Sequence, residues 1–259
     1  MTRLARRRVL TGLAAAPLAG FSLATVLANP DLARAAAQGL DDVSLTTKAG
    51  KRVGGALAVP AAAPAPAILL VHEWWGLNDQ IKAVAAELAR EGYLALAVDL
   101  YDGKVATTRD GARGLMQAVD GGEATDTVAS WIAWLRAHKK ASGKIGTIGW
   151  CFGGGWSLNA SIAAAVDATV VYYGRVNRTA ADLKALQGPV LGHFATRDKR
   201  IDGKMVGGFE KAMAEAGKSA TSHWYEAEHA FANPTSARYD KEDARLAWKR
   251  TLAFFNKNL

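Results

Sequence analysis

The chain has 259 residues, half of them hydrophobic and 22% charged, an ordinary globular composition that excludes a disordered or fibrous protein. Half of the net charge of +8 sits in residues 1–35, where five arginines face only Asp31; the remainder carries 27 basic and 23 acidic residues. That mild balance, with no basic stripe interleaved with aromatics, excludes a nucleic-acid partner, and a single cysteine excludes an intrachain disulfide framework.

The chain opens with MTRLARRRVLTGLAAAPLAGFSLATVLANPDLARAAAQ. An arginine-rich start, an apolar run over 9–28 and small residues at Ala33-Arg34-Ala35 and Ala35-Ala36-Ala37 follow the order of a secretory signal. Arg6-Arg7-Arg8-Val9-Leu10 fits the twin-arginine pattern, with Ala5 where serine or threonine usually stands. We expect residues 1–37 to be an export signal, cleaved on delivery to the periplasm, leaving no stable membrane association. The alternative is an uncleaved anchor, since about 20 apolar residues span a bilayer.

Residues 38–259 read as a single domain. Short apolar runs alternate with amphipathic helices, which predicts an α/β fold: a mostly parallel central sheet of about seven to eight strands with helices on both faces. Strands are expected over 43–47 and 52–59, followed by an Ala/Pro connector over 60–66 and a buried strand over 68–71. Asn78 and Asp79 can cap a helix from about Gln80, and 94–98 is the next strand. Residues 101–122 are glycine-rich and polar, with a short helix near 111–118. Val128, Trp131, Ile132 and Leu135 mark an amphipathic helix. Strands over 145–148, 168–172, 190–195 and 221–225 complete the sheet. Helices are expected from Phe152 to about 166, near 179–187 and 204–216, and over about 236–256.

Strand, Gly149-Trp150-Cys151-Phe152-Gly153, helix is the nucleophile-elbow pattern of the α/β-hydrolase fold, with cysteine where serine is commoner. A side chain at Gly149 or Gly153 would collide with the neighbouring helix or strand. The helix N-terminus beneath the thiol favours negative charge there, and the Phe152 N–H, free in the first turn, can face an oxyanion. Two other readings compete. GWCFGGG lacks the Lys-Ser/Thr ending and spacing of a phosphate loop, and a plain packing turn would leave Cys151 an inert buried thiol.

An elbow needs an acid and a base, in that chain order. Asp198 follows the strand at 190–195, and His229 lies in the loop after the last strand, both where this architecture puts catalytic loops. His138 reads as a solvated helix end, and His193 and His223 as strand residues. His72, beside Glu73, is a candidate structural support. No pair has the H-E-x-x-H spacing, so neither metal nor cofactor is expected.

VHEWWG (71–76), DLYDGK (99–104), GWCFGG (149–154), TRDKRID (196–202) and EAEHAFANP (226–234) together resemble the dienelactone hydrolase family, in register from about residue 40 to the C-terminus. The resemblance implies a Cys-His-Asp triad of Cys151, His229 and Asp198. It also implies that Glu73 contacts the resting thiol and shares in its activation, and that Trp74 gives the second oxyanion N–H. An ordinary loop salt bridge is the other reading of Glu73. The family's arginines for a substrate carboxylate are replaced here by Tyr101-Asp102-Gly103-Lys104 and by Asn233-Pro234, which argues against a carboxylated dienelactone as substrate. Tyr101, Lys104, Trp150 and Asn233 are the candidate substrate-binding residues. The expected function is hydrolysis of a small activated ester or lactone by a monomer, a dimer being the other option. A non-catalytic exported binding protein on the same fold is the alternative.

Overall fold

The computed structural model describes residues 20–259. The arginine-rich start and the twin-arginine motif lie outside the described residues. Eight strands form one sheet in the order β1-β2-β4-β3-β5-β6-β7-β8. They are β1 (Asp41–Thr46), β2 (Arg52–Ala58), β3 (Ala65–Val71), β4 (Leu94–Val98), β5 (Ala141–Trp150), β6 (Ala168–Tyr172), β7 (Val190–Ala195) and β8 (Ala220–Tyr225). β2 pairs antiparallel with β1 and β4; every other pair is parallel. The α/β-hydrolase architecture expected from the elbow is the one observed.

Strand alternation sorts the core into two faces. Ile68 and Leu70 of β3 pack with Ile81, Val84 and Leu88 of α3 (Asp79–Arg90) and with Phe255 of α9 (Lys241–Asn258). On the other face, Leu69 and Val71 meet Val128, Trp131 and Leu135 of α5 (Gly121–Ala137). Farther along that face, Val171 and Phe194 pack on Val206 and Phe209 of α8 (Gly203–Glu215). The connector helices α4 (Arg109–Gln117) and α7 (Ala180–Leu183) are shorter. The elbow helix α6 (Phe152–Ala163) is fixed to the sheet by a buried hydroxyl chain. Ser157 Oγ donates to Val170 O at 2.9 Å, and Thr147, Ser161 and Thr169 hydroxyls link on at 2.6–2.9 Å. Buried polar groups satisfied in this way hold one register of helix on sheet.

Several boundaries differ from expectation; β5, expected over 145–148, spans Ala141–Trp150, and α6 ends at Ala163. β3 begins inside the Ala/Pro connector because Ala65 N–H donates to Lys140 O at 2.9 Å. α9 starts at Lys241, not near 236, because Asp240 caps it by accepting from Asp243 N–H. α7 covers four residues of the nine expected.

The apolar run before residue 38 also has structure. Leu23–Ala28 forms α1 and Pro30–Ala37 forms α2. Asn29 ends the first and caps the second, accepting from Asp31 and Leu32 N–H, with Pro30 at the first helical position. α2 lies along α3 with Ala33 and Ala36 buried. Gln80 Nε2 donates to Leu27 O at 2.8 Å and Arg34 sits 3.8 Å from Asp79. Among the described residues, no helix is long and apolar enough to cross a membrane.

Candidate functional site

The sharp turn from β5 into α6 puts Cys151 at φ 54°, ψ −114°, a region that costs a non-glycine residue of order 1–3 kcal/mol. The surroundings impose it. Cys151 N–H donates to Tyr172 O at 3.0 Å, and Cys151 O accepts from Gly154 N–H at 3.1 Å. The flanking glycines allow the close approach: a Cβ at Gly149 would strike the Gly153 carbonyl, and one at Gly153 the carbonyls of Val71 and His72. α6 points its positive end at the sulfur. Among the described residues, neither Phe152 N–H nor Trp74 N–H donates a hydrogen bond, so both are free to receive an oxyanion.

The loops after β7 and β8 bring two partners to the thiol. His229 Nε2 lies 3.1 Å from Cys151 Sγ, and His229 Nδ1 lies 2.6 Å from Asp198 Oδ2. The other Asp198 oxygen accepts from Arg200 N–H at 2.8 Å and Ile201 N–H at 3.2 Å. Burial alone would lower the His229 pKa, but bonds to Asp198 and the thiol reverse that and lift it to about 9. Burial opposes ionisation of Asp198 too, yet His229 and the two backbone N–H groups hold its pKa below the usual carboxylate value.

Glu73 sits apart from this chain. Its Oε2 accepts from Asn233 Nδ2 at 2.7 Å, while the bond at the thiol goes to His229. The contact between Glu73 and the resting thiol implied by the family resemblance is therefore replaced here by a bond to Asn233. Asn233, a candidate substrate-binding residue, instead holds a carboxylate of the protein. Burial raises the Glu73 pKa, only partly offset by Asn233 and by the charge of His229. The charge of His229 thus reaches Glu73.

Tyr173 was not among the expected site residues. It follows β6 at φ 35°, is fully buried, and lays its ring 5.1 Å from that of His229. Its hydroxyl is close enough to Glu73 to affect its proton affinity, but among the described residues neither Tyr173 Oη nor Glu73 Oε1 has a partner of hydrogen-bond geometry. His72 is the expected support: its Nδ1–H donates to Glu73 O at 2.6 Å and its Nε2 accepts from Leu100 N–H at 3.2 Å. This bonding fixes one neutral tautomer, and burial lowers the His72 pKa.

The other candidates divide. Tyr101 is buried with its ring 4.6 Å from His72 and 5.6 Å from Phe152. Trp150 is buried against Tyr172 and lines a cavity of about 630 Å³ that Glu73, Tyr173 and Asn233 also line. Lys104 is exposed and lines a different cleft of about 190 Å³ with Lys51 and Asp102, so it is not gathered with Glu73 and Asn233. Among the described residues, no three His, Cys, Asp or Glu side chains are placed to hold a metal ion.

Comparison with known proteins shows the family of the chain. The profile of the Dienelactone hydrolase family matches residues 53–259. A carboxymethylenebutenolidase of Pseudomonas putida is 28% identical over 83% of this chain and 95% of its own. Protein usf of Aquifex pyrophilus is 30% identical over 82% of this chain and 96% of its own. The crystal structure of a dienelactone hydrolase-like promiscuous phosphotriesterase from metagenomic libraries superposes with a TM-score of 0.77, covering 85% of this chain and 99% of that one. At 21% identity, that likeness concerns the fold alone.

Proposed function

The chain belongs to the dienelactone hydrolase family and is a carboxylic ester or lactone hydrolase, and we propose that it acts on activated esters or lactones through a thioester on Cys151. The observation that carries this is the unbroken chain from Sγ to His229 to Asp198, 3.1 Å and 2.6 Å, on a strained elbow. Sulfur attacks the carbonyl carbon, and the carbonyl electrons move onto oxygen, which the Trp74 and Phe152 N–H groups receive. Such a donor is worth roughly 3 kcal/mol in the transition state. Collapse expels the alcohol or enol half, which takes its proton from His229. His229 then removes a proton from water, whose oxygen attacks the thioester carbonyl; collapse returns the thiolate and releases the acid. Asp198 keeps Nδ1 protonated and the ring in place throughout.

Sulfur selects the substrate class. A thiol of reference pKa about 8.5 leaves a tetrahedral intermediate more readily than a simple alkoxide, so a plain alkyl ester expels the enzyme and reverts. Enol lactones and aryl esters carry leaving groups that compete. Turnover of p-nitrophenyl acetate, an enol lactone and ethyl acetate tests this: the first two should be hydrolysed by wild type and not by Cys151→Ala. Equal rates in both proteins, or faster turnover of ethyl acetate, would overturn it. Export to the periplasm by the twin-arginine route is part of the proposal, supported by residues 1–37 and tested by N-terminal sequencing of the periplasmic protein.

A further inference from the structure

The sheet ends on two edge strands, β1 and β8, and they differ in how they meet solvent. β1 opens with exposed Asp41 and Asp42, charges that repel a second strand laid alongside. β8 has no such device. From Ser219 to Tyr225 there is no proline, Asp, Glu, Lys or Arg, and its register with β7 runs without a bulge. Burial and Arg250 lower the His223 pKa, so that imidazole carries little charge at neutral pH either.

The backbone fixes which groups β8 offers. Val190 N–H donates to Ser219 O and Thr196 N–H to Tyr225 O, both at 2.9 Å, so the odd-numbered residues turn to β7. Ala220, Ser222 and Trp224 therefore point their N–H and C=O groups outward. Among the described residues, β7 is the only strand that pairs with β8. Trp224 lays its ring 5.6 Å from that of Phe194 and is still 38% exposed.

We propose that two copies of this chain pair antiparallel through β8, about a two-fold axis at Ser222, and continue the sheet across the dimer. A strand that pairs with its own copy must match itself in reverse, and 218–226 does. Ser222 faces Ser222 of the second copy, and on either side Trp224 faces Ala220, a large side chain beside a small one. Each of these outward pairs exchanges two backbone hydrogen bonds. Two residues beyond the ladder at each end, the same register sets Lys218 opposite Glu226. Lys218 Nζ donates to Leu186 O at 2.6 Å and keeps two further N–H donors. Glu226 is exposed, with no ion-pair partner among the described residues. The pairing takes no residue from 1–37 and none from the triad, so it depends on neither leader removal nor the proposed chemistry.

Sedimentation equilibrium of the full chain tests this, with a dimer expected at micromolar protein. Ser222→Pro removes an outward N–H without touching a bond to β7 and should leave a folded monomer. Glu226→Lys, which sets like charges opposite each other at both ends, should weaken the dimer about tenfold, and adding Lys218→Glu should restore it. Oxidation of the Cys151→Ala/Ser222→Cys protein should give a covalent dimer, because the paired Cα atoms at the axis lie about 5.5 Å apart. Cys151→Ala/Thr221→Cys should not, since its two thiols sit on a diagonal of about 7–8 Å. A monomer throughout, a dimer that persists in Ser222→Pro, a charge swap without rescue, or equal cross-linking at 221 and 222 overturns the proposal. The cross-linking pair decides even where Ser222→Pro fails to fold.

Discussion

Asp198 and Glu73 are buried to almost the same degree, 5% and 6% exposed, yet their surroundings push their protons in opposite directions. Asp198 receives His229 and two backbone N–H groups and stays ionised against the cost of burial. Glu73 receives one amide, keeps one oxygen without a partner, and holds its proton to higher pH. Burial does not decide the charge of a carboxylate here; the number of donors around it does. Two acids driven apart in this way are fitted to different tasks, a permanent anion behind the base and a carboxyl able to gain or lose a proton.

Three experiments break or sharpen that contrast. The largest effect is expected from Asp198→Asn, which keeps the shape but lets the amide favour the wrong imidazole tautomer; kcat/KM for p-nitrophenyl acetate should fall by roughly 10²–10⁴-fold. A loss below tenfold would mean that Asp198 is not the orienting anion. Glu73→Gln comes next. It mimics the protonated acid, so the rate should fall only about tenfold near neutral pH, while thermal stability rises with pH relative to wild type as the buried charge is removed. A rate loss equal to that of Asp198→Asn would erase the distinction between the two acids. The smallest effect is the pH dependence of stability. The His229 pKa is raised to about 9, so its imidazolium contributes stability that is complete below the reference pKa of about 6.5 and is lost as pH rises through about 9. Between those limits Tm should fall by a few degrees more in wild type than in His229→Gln.

Much of this was legible in the sequence for physical reasons. The strands over 94–98, 168–172 and 190–195 have the expected bounds because they are continuous apolar runs buried on both faces. The elbow was legible because only glycine fits at 149 and 153. Asp198 and His229 could be nominated because each follows a strand end. Tyr173 could not: nothing in Val170-Val171-Tyr172-Tyr173 separates the core tyrosine from the one beside Glu73 until β6 lies next to β5 and the backbone turns at φ 35°. Asn233 was nominated for a substrate, but the partner it holds, Glu73, is 160 residues away in the chain, a pairing no local pattern encodes. Lys104 is a candidate because it stands in the segment where the family resemblance implies a carboxylate-binding arginine, and its loop carries it to another cleft. The helices before residue 38 had a local signature in Asn29-Pro30-Asp31, a cap followed by a first-turn proline and acid, which the Ala-rich composition overshadowed.

The packing of α2 on α3 limits what positions 33 and 36 can hold. Ala33 and Ala36 are buried against α3, where a small side chain permits the close approach. A larger residue placed at either position would lever α2 away from α3, loosening Leu27 from Gln80.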